Sequence, residues 1–136
     1  GQQYYRRRRY DDAPAGTVIA AATPRYRGKV YVLVDPTCSS ATFQFAHACK
    51  QNGLATIVGQ PTGGNQRGIN GGAFFFLCLP NSRLEVDLPL IGAFPDGTPP
   101  DAGIEPDVLV LPTVADIATG VDRELAVVRE RIAAGR

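Results

Sequence analysis

Two adjacent serines, Ser39 and Ser40, stand where an apolar run gives way to a helical pattern. Serine at a helix start normally caps it, its oxygen accepting a backbone N–H. One of the pair can cap while the other does chemistry. With Ser39 as the cap, Ser40 is the first helical residue, at the positive end of the helix dipole. The N–H of Ala41 or a neighbour then lacks an intrahelical partner and can bind an oxyanion. A serine nucleophile also needs a base. The single histidine, His47, lies seven residues on, about 10 Å along a helix axis. That is too far for a hydrogen bond, so His47 reads as a surface or packing residue, and no Ser-His-Asp triad closes within the chain. A glycine-rich loop over residues 60–68 is the other candidate. Its Thr62-Gly63-Gly64-Asn65 core can bring backbone amides up to a substrate. Asn65 donates or accepts hydrogen bonds but cannot act as a base. The plain alternative is serines that only cap and glycines that only turn.

The elements that must position these residues follow from patterning. Val30–Val34 is an apolar strand stopped by Asp35 and Pro36. Ser40–Asn52 is an amphipathic helix, ended by Gly53 at the left-handed C′ position, and Ala55–Val58 is a second apolar strand. Strand, helix and strand in this space make a βαβ unit with parallel strands, whose sites lie at the carboxyl ends of the strands. Ala41, Phe45, Ala48, Cys49 and Asn52 share one helix face, expected to pack on the sheet, with Gln44, His47 and Gln51 facing elsewhere. Ala73–Leu79 and Arg83–Leu90 form a hairpin whose second strand alternates like a half-exposed one. After a proline-rich loop over 94–101, Val108–Leu111 is a short final strand. Thr113 or Asp116 begins a short helix, and Asp122–Ala133 is a terminal helix with Leu125, Val128 and Ile132 on one face. Upstream, Thr17–Ala22 is a short strand candidate and Tyr26–Lys29 a turn.

At 136 residues the chain is one domain at most, and 44% apolar with 20% charged residues is ordinary for a folded protein. A net charge of +1 gives no bulk reason to expect nucleic acid or an anionic membrane. Arg6–Arg9 read as part of a solvated tail or lid segment without a nucleic-acid site. No apolar run approaches the ~18 residues that span a bilayer, and no basic-then-apolar leader opens the sequence. Cys38, Cys49 and Cys78 follow no metal or redox spacing and are expected to be buried free thiols. No metal or organic cofactor is implied.

The frame VLVD-PT-CSSATF, then VGQ-PT-GGN, resembles the tail-specific, or C-terminal processing, serine peptidase family, whose strand is followed by SASASE, a helix and VGE-T-FGKG. Tricorn-type proteases and the interphotoreceptor retinoid-binding protein are its relatives. In the ungapped frame Ser40 falls on the nucleophile and Ser39 on the preceding small residue, while Gly59, Thr62 and Gly64 match. Gly103-Ile104-Glu105-Pro106-Asp107 resembles the family's GxxPD ending, so the likeness spans roughly residues 28 to 130. It departs where the family's glutamate becomes Phe43 and its general-base lysine becomes Asn65.

The resemblance implies the carboxyl-terminal part of an α/β, ClpP/crotonase-like catalytic domain, mostly parallel with a hairpin, over residues 28–136. Residues 1–27 would be a tail or lid and an edge strand. It implies a serine-type endopeptidase acting on peptide or protein substrates, with Ser40 as nucleophile and the Ala41 N–H as oxyanion donor. Gly63, Gly64 and Asn65 would touch substrate. Base and second donor would come from upstream, leaving this chain inert alone, as expected of a processed piece or a split gene product. Many relatives act in the bacterial envelope, the periplasm or outside the cell; a homo-oligomer stays open. The competing reading is a non-catalytic relative binding peptide or an apolar ligand in the same cleft.

Overall fold

The structure is a computed structural model that describes Pro24 and residues 26–135. The Arg6–Arg9 and Thr17–Ala22 readings lie outside those residues. In chain order the elements are β1 (Tyr31–Val34), α1 (Ser40–Gln51), β2 (Thr56–Gly59), β3 (Ile69–Cys78), β4 (Glu85–Ala93), β5 (Val108–Leu109), α2 (Val114–Thr119) and α3 (Arg123–Ala133). β1, β2 and β5 form a parallel sheet in that spatial order, and β3 pairs antiparallel with β4. The chain is therefore α/β, with a βαβ unit and a separate hairpin.

Successive residues of β2 point to opposite faces, as the pleat requires. Ile57 packs with Val34, Phe43, Ala46, Cys49 and Ile104 under α1, whereas Val58 packs with Val110 and Val128 under α3. Neither β2 side chain keeps any exposed surface, so one short strand supplies the centre of both layers.

The buried face of α1 is Phe43, Ala46 and Cys49, not the expected face through Ala41, Phe45 and Ala48. Phe45 is 60% exposed. Two apolar stripes share Cys49, and periodicity alone cannot choose between them. The contact of the Phe43 ring with Gly64, close enough that a Cβ there would fall 2.3 Å from the ring, fixes the choice. On α3, Val128 is buried and Leu125 partly so, but Ile132 is 60% exposed; Val127 packs on the sheet instead. Cys49 is buried as expected, Cys38 partly, and Cys78 is exposed.

The local end signals hold. Gly53 has φ 61 just past the Asn52 C-cap of α1. Thr113 and Asp116 form a reciprocal capping box on α2, and the Asp122 carboxylate accepts from the Leu125 N–H to cap α3. The hairpin is longer than expected and carries a register shift between Gly71 and Phe74. It is not half-covered: Phe74, Phe75, Phe76, Leu84, Val86, Leu88 and Leu90 are all exposed. No helix among the described residues is long and apolar enough to cross a membrane.

Asp107 ties the layers together. One carboxylate oxygen accepts from the Ile57 N–H at 2.8 Å and the other from Lys50 Nζ at 2.7 Å, while Lys50 also donates to the Glu105 carbonyl. Burial by itself would raise the Asp107 pKa, but the Lys50 and Ile57 hydrogen bonds and the Lys50 charge outweigh it and lower the value. A carboxylate held lower in the folded than in the unfolded state stabilises above the unfolded value and loses that contribution as pH falls through the folded one. Asp107→Asn should therefore cost about 1–2 kcal/mol at pH 7, discounted for the pair's partial exposure. Its melting temperature should approach that of the parent protein as pH falls from about 5 toward 3. Thermal melts of the two proteins across that range check this; an unchanging gap would refute the linkage.

Candidate active site

The turn between β1 and α1 is built by Asp35. Its Oδ1 accepts from the Thr37 N–H at 2.8 Å and the Thr37 hydroxyl at 2.6 Å, and the Cys38 N–H donates to the Asp35 carbonyl. The Thr37 hydroxyl, followed by the Thr37 N–H, holds the Asp35 carboxyl below its usual pKa against a small opposing effect of burial. The ionised side chain thus closes an Asx-type turn over Pro36. From there Ser39 runs extended, with φ −135 and ψ −179, and occupies the N-cap position of α1.

Its hydroxyl caps nothing, contrary to the role expected for Ser39. The reason is the next residue. Ser40 has φ 52, a left-handed conformation that side chains other than glycine adopt at a cost of about 1–2 kcal/mol. With Ser40 left-handed, the first turn departs from the helical backbone in which an N-cap oxygen meets the N–H groups two and three residues on. Non-glycine residues held in such backbone cluster at functional sites, and a strained turn from strand to helix is how some hydrolases present a nucleophile.

The glycine loop closes against this turn. The Gly64 N–H donates to the Cys38 carbonyl at 3.1 Å. A Cβ on Gly63 would fall 2.1 Å from the Pro36 carbonyl oxygen, so only glycine permits the approach. Thr62, buried, anchors the loop from below: its N–H donates to the Ile104 carbonyl and its hydroxyl oxygen accepts from the Ile104 N–H. Gly103 belongs to the same clasp, since a Cβ there would meet the Thr62 carbonyl at 1.9 Å. The Gly103–Asp107 stretch is thus a strap that fixes the glycine loop at one end and the sheet at the other.

A cavity of about 550 Å³ opens in front of Ser40. α1 contributes Ser39, Ser40, Phe43, Gln44 and His47, and the loop contributes Gly63, Gly64, Asn65 and Gln66. The base of the hairpin, with Ile69, Asn70, Ala93, Phe94 and Pro95, forms the facing wall. Ser40, Gly63, Gly64 and Asn65 are therefore brought together as the sequence suggested. Ala41 lies in the first turn of α1 but is not among the lining residues. His47 lines the cavity and stacks on Phe43, ring centroids 5.7 Å apart; Gln44 and His47 lie off the buried face of α1, as expected, but the sequence reading gave them no place at the cavity. Their i+4 and i+7 spacing from Ser40 was the available signal.

Asn65 is held by others. Its Nδ2 donates to Asp101 Oδ1 at 2.7 Å, and its Oδ1 accepts from the Arg67 N–H. Arg67 in turn pairs with Asp101 at 2.8 Å. An amide so engaged has no proton-accepting chemistry to offer a serine.

A parallel α/β layer, a left-handed serine at the strand–helix junction and a glycine loop lining the same cavity stand together at the carboxyl edge of the sheet. The family model of Peptidase family S41 matches residues 1–110, and the chain belongs to that family. Its protein substrates follow from that membership. No curated protein matches the chain.

Proposed function

We propose that the chain is the serine-bearing, carboxyl-terminal part of a ClpP/crotonase-like endopeptidase domain in which Ser40 attacks the scissile carbonyl. The observation that carries this is the left-handed backbone of Ser40, at the mouth of the cavity and beside two glycines. Ser40 Oγ forms the new C–O bond while its proton passes to a base. The Ala41 N–H supports the developing oxyanion. Collapse breaks the C–N bond, the amine leaves with the proton, and water then hydrolyses the acyl-enzyme. Gly63, Gly64 and Asn65 lie along the substrate backbone.

The base and the second oxyanion donor are assigned to residues other than those described. Asn65 stands at the lysine position of the resemblance, and its amide is committed to Asp101 and Arg67. His47 is two helical turns from Ser40. That same substitution favours the second reading, a family member that binds peptide or an apolar ligand without cleaving it. By the same resemblance the protein works in the cell envelope or outside the cell.

A serine-reactive fluorophosphonate separates the readings. The full-length gene product should be labelled at Ser40, found by peptide mapping, and residues 1–136 alone should not be. A folded full-length product that resists labelling and cleaves nothing supports the binding reading.

A further inference from the structure

We infer that Gln44 and His47 form a subsite for a carboxylate of the substrate, about three residues along the peptide from the bond that Ser40 attacks. The inference rests on the peptidase reading. Ser40, Gln44 and His47 sit at i, i+4 and i+7 on one face of α1, and all three line the cavity. Gln44 and His47 make no side-chain hydrogen bond to any described residue. Their neighbours on the loop differ: Asn65 donates to Asp101, and Gln66 Nε2 donates to the Gly103 carbonyl at 2.8 Å. Gln44 is exposed and His47 half-buried at the cavity wall, so both side chains are open to a polar group of a ligand seated there.

The class of ligand follows from charge. Among the described residues no Asp, Glu, Lys or Arg lines the cavity, and His47 is the one described lining group able to carry a positive charge. The charged groups on the surrounding elements lie off the lining: Lys50 pairs with Asp107, Arg67 pairs with Asp101, and Asp96 follows Pro95. A cationic substrate group would meet no counter-charge among the described lining residues. A carboxylate would meet an imidazole and an amide donor, with the Phe43 ring stacked on the imidazole at an interplanar angle of 19°. Seven residues of helix separate His47 from Ser40 by about 10 Å, which an extended peptide covers in about three residues. The carboxylate is an Asp or Glu side chain, or the peptide's own terminus.

The test uses the full-length product and quenched fluorescent peptides. One glutamate is walked through the positions on either side of the cleaved bond, each peptide having a glutamine twin. A second pair ends at the responsive position as free acid or carboxamide. Glutamate about three residues from the bond should raise kcat/KM at least about tenfold over glutamine, chiefly through KM, as a charge-assisted hydrogen bond does. His47→Leu should narrow that ratio to within about twofold, and His47→Gln, which keeps a donor, should leave part of it. Response confined to the glutamate pair assigns a side chain; response in the acid–amide pair assigns the terminus. Cleavage with no carboxylate preference, or a preference that survives in folded His47→Leu, overturns the subsite while the peptidase reading stands. A product that neither cleaves these peptides nor, as Ser40→Ala, binds them overturns both.

Discussion

Ser40→Ala in the full-length product should lower the rate of peptide cleavage by about a millionfold, the scale on which a lost serine nucleophile is felt. Ser39→Ala should cost less than about tenfold. The two serines are adjacent, yet the backbone treats them differently. Ser39 is extended and its hydroxyl makes no capping bond, so its removal should also leave stability within about 0.5 kcal/mol. Ser40 is turned into the left-handed region at the start of α1. A third variant tests whether that conformation is strained rather than merely unusual. Ser40→Gly lacks the hydroxyl, as Ser40→Ala does, but carries no Cβ penalty at positive φ. It should be as inactive as Ser40→Ala and melt no lower. Normal cleavage by Ser40→Ala would remove Ser40 from the chemistry. A Ser40→Gly protein that melts well below Ser40→Ala would remove the strain argument.

The parts of this site readable from sequence are the local ones. Asn52-Gly53, Thr113 and Asp122 mark helix ends through bonds made within a few residues, and the alternation of strand and helix dictates the parallel β1–β2 pair. Ser40 was readable because its place depends only on where a strand stops and a helix starts. What was hidden depends on partners far along the chain. The Phe43 face of α1 prevails because Gly64 and Ile104 pack against it. His47 lines a cavity because Phe94 and Pro95, after the second strand has returned to the base of the hairpin, line it too. Nothing in RLEVDLPL distinguishes a strand covered on one face from one exposed on both. The Gly103–Asp107 stretch was visible as a motif, but its physical role is a set of long-range bonds: Ile104 to Thr62, and Asp107 to Ile57 and Lys50.

The largest effect on stability should come from Gly59→Ala. Gly59 ends β2 between Val34 and Leu109, at φ 131, where an L side chain is strained by about 1–3 kcal/mol. The added Cβ would also stand 1.9 Å from the Val34 carbonyl oxygen. That oxygen cannot yield cheaply, because it accepts the Gln60 N–H at 2.9 Å, and the Gly59 carbonyl accepts the Val110 N–H at 2.8 Å. Parting the strands should cost a further ~1–3 kcal/mol. The sum, about 2–6 kcal/mol, is a large share of the 5–15 kcal/mol typical of a whole domain, and should lower the melting temperature by about 5–30 °C. Gly71→Ala is the control: a Cβ there meets nothing within 4 Å, and its effect should stay within about 0.5 kcal/mol. The consequence for function is direct, since β1 ends at Val34 and the Asp35 turn that delivers Ser40 begins one residue later. Partial unfolding at this strand end should therefore cost fluorophosphonate labelling at temperatures below global melting. Equal melting temperatures for the two glycine variants would mean that the close approach of Gly59 to Val34 does not hold the sheet.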